Sequence, residues 1–144
     1  MNKIFVDTNV FLRYFVPEDE HSFEQSRKLF ETIEKGAIIP YISSVVVQEI
    51  IYVLLRSYKF SYKEVCLKLP LIFDLRNLVV LEKTDTKKAI NLYLKLNIKF
   101  GDCLIATQIP KGVILCTYDE DFKKIPGLII KTPSKIDTSQ YNRQ

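Results

Sequence analysis

Four carboxylates stand where a carboxylate needs a reason. Asp7 directly follows the short apolar run that ends residues 2–6, Ile4-Phe5-Val6. Asp102 opens a short helical stretch, and Asp119 comes two residues after the apolar run 113–117. Glu49 lies inside 45–55, which is apolar in nine of eleven places. Taken singly, each Asp reads as a cap or turn residue, and Gln48-Glu49 reads as a narrow wet stripe. Taken together, the dull reading weakens. A helix apolar almost all round is expected to be buried, and a carboxylate within it is costly unless paired or metal-bound. Two like charges about 4 Å apart repel by about 4 kcal/mol at an effective dielectric of about 20. Such a group takes up protons or binds a cation. Oxygen ligands without His or Cys favour Mg²⁺ or Mn²⁺ over zinc, and the waters kept by such an ion are where hydrolysis starts.

Other chemistries are poorly supplied. The chain has one histidine, His21, in a run of charges, so a Ser-His-Asp or Cys-His centre has little to build on. Cys66, Cys103 and Cys116 have no CxxC spacing and read as reduced, buried thiols. No GxGxxG or GxxxxGK[ST] string is present to cradle a nucleotide phosphate.

The elements that must position these acids follow from patterning. The 144 residues, 47% hydrophobic and 26% charged, are the length and composition of one ordinary globular domain. Strands are expected at 2–6, 37–42, 77–82 and 113–117, with a fifth at 128–131. Helices are expected at 9–15, 19–35 (stopped by Gly36), 45–57 (capped by Ser43 or Ser44), from Ser61, from Thr84 or Asp85, and near Gly101-Asp102. Pro70 is expected to break or kink the fourth of these. Alternating strands and helices imply a mainly parallel sheet covered on both faces. Ligands of such sheets bind beyond the carboxyl ends of the strands, where Asp7 and Asp119 fall. No stretch has the length of a membrane span and no signal-peptide core is seen, so the expected setting is cytoplasmic, with no membrane partner.

The net charge of +4 is uneven. Residues 1–81 carry ten basic and ten acidic side chains; residues 82–144 carry eleven and seven. The excess suits an anionic partner, RNA or DNA first, although a lysine-rich solvated surface has the same composition.

Four segments together resemble the PIN domain, and within it the small VapC-type toxins of type II toxin–antitoxin pairs. They are Val6-Asp7-Thr8-Asn9-Val10-Phe11-Leu12, Glu49 in its apolar helix, Phe100-Gly101-Asp102-Cys103-Leu104-Ile105-Ala106, and Thr117-Tyr118-Asp119-Glu120-Asp121-Phe122. The resemblance implies an α/β fold, a PIN-like α/β/α sandwich with a central, mainly parallel sheet of four to five strands. It covers about residues 3–131, so a nuclease domain is expected over 1–132; the residues after it, 133–144, read as a polar C-terminal tail. The implied activity is metal-dependent endoribonuclease cleavage, with tRNA or rRNA as substrate. Asp7, Glu49, Asp102 and Asp119 would form the quartet around Mg²⁺ or Mn²⁺. Thr8, Asn9 and Thr117 would orient the carboxylates, and Asp121 would support the fourth position. A metal-activated water would leave a 5′-phosphate and a 3′-hydroxyl. Arg13, Lys123 and Lys124 are candidates for contact with the RNA backbone. A cognate antitoxin and a homodimer are implied as partners, and Phe11, Leu12, Phe15, Tyr52 and Leu55 exceed what a small core obviously needs. An RNA-processing PIN nuclease that is not a toxin, and an inert PIN-like RNA-binding module, are the alternatives.

Overall fold

The structure, a computed structural model, describes residues 2–137. The first apolar run forms strand β1 (Asn2–Val6), in which Ile4, Phe5 and Val6 are wholly buried. Each such side chain contributes about 1.5–3 kcal/mol of burial. The chain turns at Asp7 straight into α1 (Thr8–Phe15), and α2 (Glu20–Glu34) follows. The Asp19 side chain accepts from the amides of His21 and Ser22 to start α2. Gly36, at φ +81°, reverses the chain after it. Strand β2 (Ile38–Ser43) leads into α3 (Ser44–Arg56), capped by the Ser43 hydroxyl on the amide of Val46. Helix α4 (Tyr62–Phe73) opens on the Ser61–Glu64 capping box. Then come β3 (Val79–Leu81), α5 (Thr86–Leu96), α6 (Phe100–Gln108), β4 (Ile114–Cys116), a 3₁₀ turn at Glu120–Lys124, β5 (Ile130–Lys131) and a last 3₁₀ turn at Pro133–Lys135.

The five strands form one sheet in the order β3-β2-β1-β4-β5, and every neighbouring pair is parallel. Strand β1 is central. From it the chain first winds outward through β2 to β3, then returns to add β4 and β5 on the other side. The reversal lies between β1 and β4, where Val6 stands beside Cys116. In an open parallel sheet such a reversal leaves a crevice at the carboxyl ends of the two strands.

Several local expectations are corrected. Pro70 does not end α4, which continues to Phe73. Proline removes its own donor and crowds the carbonyl four residues back, and here that carbonyl belongs to Cys66, which is exposed as Pro70 is. Cys66 is therefore not a buried thiol; Cys103 and Cys116 are. Helix α3 is not buried all round. Only Val46, Ile50 and Leu54, one line at helical spacing, are fully buried, and Tyr52 is 63% exposed. Phe11 and Phe15 belong to the core, and Leu12 and Leu55 pack against it. Pro133 and Ile136 are also buried. The remainder of the expected polar tail, 138–144, lies outside the described residues, as does Met1.

Candidate active site

The β1–β4 crevice brings the acids together because each follows or faces a strand end. Asp7 leaves β1 as the first residue before α1, and its amide donates to the Cys116 carbonyl at 3.0 Å. The side chain is 3% exposed. Its Oδ2 accepts from the Thr117 hydroxyl at 2.7 Å and from Asn9 Nδ2 at 3.3 Å. Thr117 Oγ1 in turn accepts from Asn9 Nδ2 at 3.2 Å and from the amide of Asp119 at 2.9 Å. Asn9 Oδ1 accepts from the amide of Tyr118 at 3.2 Å. Two short polar residues thus tie the start of α1 to the end of β4 and fix Asp7 relative to Asp119.

Asp119 Oδ1 accepts from the amide of Asp121 at 2.9 Å. The support that Asp121 lends Asp119 is therefore by backbone; its own carboxylate turns away to Lys124, 3.4 Å off. Glu49, on α3, accepts from the Thr8 hydroxyl at 3.2 Å. Asp102 stands in the first turn of α6, 3% exposed, and its Oδ2 has no hydrogen-bond partner.

The electrostatics show that the four acids feel one another. Burial lifts the Asp7 carboxyl from 3.8 to about 6, against the pull of its bonds from Thr117 and the Thr8 amide, with the charges of Glu49 and Asp119 adding to the lift. Asp102 is lifted further, to about 8. Burial is the largest cause, followed by the charges of Asp7, Asp119 and Glu49 and by a hydrogen bond with Asp119 that favours the protonated acid. Burial and the crowding of like charge thus hold protons on Asp7 and Asp102 toward neutral pH.

A cation would relieve that charge, and the donor chemistry suits one. The donors are all oxygens, and the unpartnered Asp102 Oδ2 is a buried acceptor in need of a positive neighbour. No three His, Cys, Asp or Glu side chains among the described residues already grip an ion-sized space. Mg²⁺ does not require it, since it keeps several waters and binds through one or two carboxylates.

The remaining residues divide. Arg13 Nη1 donates to Ser22 Oγ at 3.3 Å, and its guanidinium lies over the Tyr118 ring at 5.3 Å. It is thus held beside Asp119's neighbour. Lys123 pairs with Glu120 at 2.9 Å and Lys124 with Asp121. Lys99, counted in the sequence only as part of the basic excess, comes within 4.0 Å of Glu49. Its position just before α6, three residues ahead of Asp102, was the available clue. Tyr118 enters the sequence reading only as part of the fourth segment, with no role of its own; its hydroxyl donates to Gln25 Oε1 at 2.8 Å.

A family model described as the PIN domain matches residues 4–128. Among solved structures, the chain is similar to VapBC2 from Rickettsia felis bound to a DNA fragment from its promoter, at 21% identity and TM-score 0.65, over 90% of this chain and 98% of that one. It is also similar to PAE2754 from Pyrobaculum aerophilum, at 16% identity and TM-score 0.60, over 90% and 83% of the two chains. No curated protein matches.

Proposed function

The chain belongs to the PIN domain family, whose members are generally nucleases, and on that premise we propose that it is a divalent-metal-dependent endoribonuclease and the toxin of a toxin–antitoxin pair. The observation that carries the reading is the acid cluster at the β1–β4 reversal, in which Asp7 and Asp102 are buried and an Asp102 oxygen is unpartnered.

In this reading Asp7, Asp102, Asp119 and Glu49 hold Mg²⁺ or Mn²⁺, which when bound lowers the pKa of a water and offsets the charge of the phosphodiester. Thr117 and Asn9 hold Asp7 in one orientation, and Thr8 does the same for Glu49. The Asp121 amide fixes the Asp119 carboxylate. Arg13, steadied on Tyr118, offers a cation to the RNA backbone at the edge of the site. Nothing in this set requires a 2′-hydroxyl, so preference for RNA rests on binding.

The likeness to a VapBC2 complex supports an antitoxin partner. A homodimer belongs to the same reading, supported by exposed apolar side chains such as Tyr52, Leu67 and Leu94. Purified protein incubated with total RNA and Mg²⁺ or Mn²⁺, against EDTA, should give new 5′-phosphate ends only with the metal. Cleavage that persists in EDTA, or none under either condition, would overturn the reading.

A further inference from the structure

Beside the acid cluster, on the side of β5, a small cleft of about 120 Å³ runs along the carboxyl edge of the sheet. Thr117, Asp119, Glu120 and Lys123 line it, together with Lys131, Thr132 and Lys135. The sheet itself sets this arrangement. Lys131 pairs with Cys116 across β4–β5, and its carbonyl accepts from the Thr117 amide at 3.0 Å. Lys131 is thereby placed one strand away from the residue that holds Asp7. The turn at Pro133–Lys135 then brings Lys135 back over the same edge.

The charges of this edge separate into two groups. On the 3₁₀ turn after Asp119, Lys123 faces Glu120 and Lys124 faces Asp121, so those lysines add no net charge locally. Among the described residues no carboxylate forms an ion pair with Lys131 or Lys135. Segment 128–137 contains two lysines and one acid, Asp137, at its end. Lys131 and Lys135 are thus two ammonium groups held in no ion pair among the described residues, in a cleft that Asp119 and Glu120 also line, and they offer an anionic chain a positive contact next to the acid cluster.

Resting on the nuclease reading above, we propose that this cleft is a phosphate subsite: Lys131 and Lys135 bind an RNA phosphodiester next to the one at the acid cluster. Lysine binds phosphate as a point charge, and a backbone contact sets register without reading sequence. The subsite therefore serves every RNA sequence alike and fixes the path of the strand across β5.

The test is the salt dependence of RNA binding, read by anisotropy with a short fluorescein-labelled single-stranded oligoribonucleotide in EDTA, where no metal-dependent cleavage occurs. Each phosphate contact on a single strand contributes about 0.7 to the slope of log affinity against log salt. Lys131→Gln with Lys135→Gln should therefore lower the slope by about 1.4, so that between about 50 and 200 mM salt the wild type loses about sevenfold more affinity than the variant. Lys131→Arg with Lys135→Arg should keep the wild-type slope, and a control pair on α4 that does not line the cleft, Lys63→Gln with Lys68→Gln, should change it little. An unchanged slope in the first pair, or an equal drop in the control pair, overturns the subsite, as does a wild type that does not bind the oligonucleotide. Metal-dependent cleavage of total RNA with an unchanged slope would overturn the subsite alone; no cleavage would overturn the nuclease reading itself.

Discussion

Replacing Asp102 with Asn should stabilise the metal-free protein, and the gain should grow with pH. Asp102 is buried, and its carboxyl is held at about 8 against an ordinary 3.8. Between those values the folded state holds a proton that the unfolded state has released. Stability therefore falls as pH rises through that window, by about 1.4 kcal/mol per pH unit. Over roughly four units the ceiling is about 6 kcal/mol, and because Asp7 and Asp119 share the same repulsion, a few kcal/mol is the working figure. Asparagine has nearly the shape of aspartic acid and no charge to lose, so Asp102→Asn escapes the penalty. Below about pH 4 the two proteins should melt together. By pH 8 in EDTA the variant should melt higher by on the order of 10 °C, at roughly 3 °C per kcal/mol for a chain of this size. Mn²⁺ should raise the wild-type melting temperature and leave the variant nearly unmoved. Thermal melts by circular dichroism from about pH 4 to 8 make the comparison. A variant that melts below wild type at pH 8 without metal, or a gap that does not widen with pH, would refute the crowding of these acids.

Asp7→Asn should abolish metal-dependent RNA cleavage while the protein stays folded. In EDTA at pH 8 it should also gain up to roughly 3 kcal/mol, since Asp7 is lifted from 3.8 to about 6; retained activity in a folded variant would count against the site. Thr117→Val removes the hydroxyl that orients Asp7 and should weaken Mn²⁺ binding by about 10–100-fold, measured by calorimetry. At limiting Mn²⁺, cleavage should fall as pH drops from about 8 through about 6, because protons on Asp102 and Asp7 compete with the ion. More Mn²⁺ should move that decline to lower pH. Light scattering at micromolar protein should give the mass of two chains; a strict monomer would remove the homodimer from the proposal.

Much of this arrangement was legible because local rules and the fold agree. The apolar runs that end in Asp7 and at Thr117 became the adjacent strands β1 and β4, and Ser61 and Gly36 marked helix ends by ordinary capping chemistry. What one segment's pattern does not carry is which neighbour covers it. Nine apolar residues in eleven suggested a buried α3, yet only the Val46–Ile50–Leu54 line is fully buried and Tyr52 is left in solvent. Cys66 is one residue, hence about 100° of helix turn, from buried Val65 and faces out. The contact of Lys99 with Glu49 joins residues fifty apart and depends on how α6 docks on α3. One local signal could have been read. Glu120–Lys123 and Asp121–Lys124 stand at i,i+3, the spacing at which opposite charges meet on a turn of helix.

The claim on which everything else depends is that the quartet is a divalent-cation site, and Mn²⁺ titration by calorimetry at pH 7 tests it directly. The account predicts binding to the wild type accompanied by release of close to one proton, because Asp102 is largely protonated below about pH 8 and must give up its proton to the ion. Repeating the titration in buffers of different ionisation enthalpy reads that proton. Asp102→Asn should lose both the affinity and the proton. No heat of binding to the wild type, or equal binding and proton release in the variant, would contradict the account.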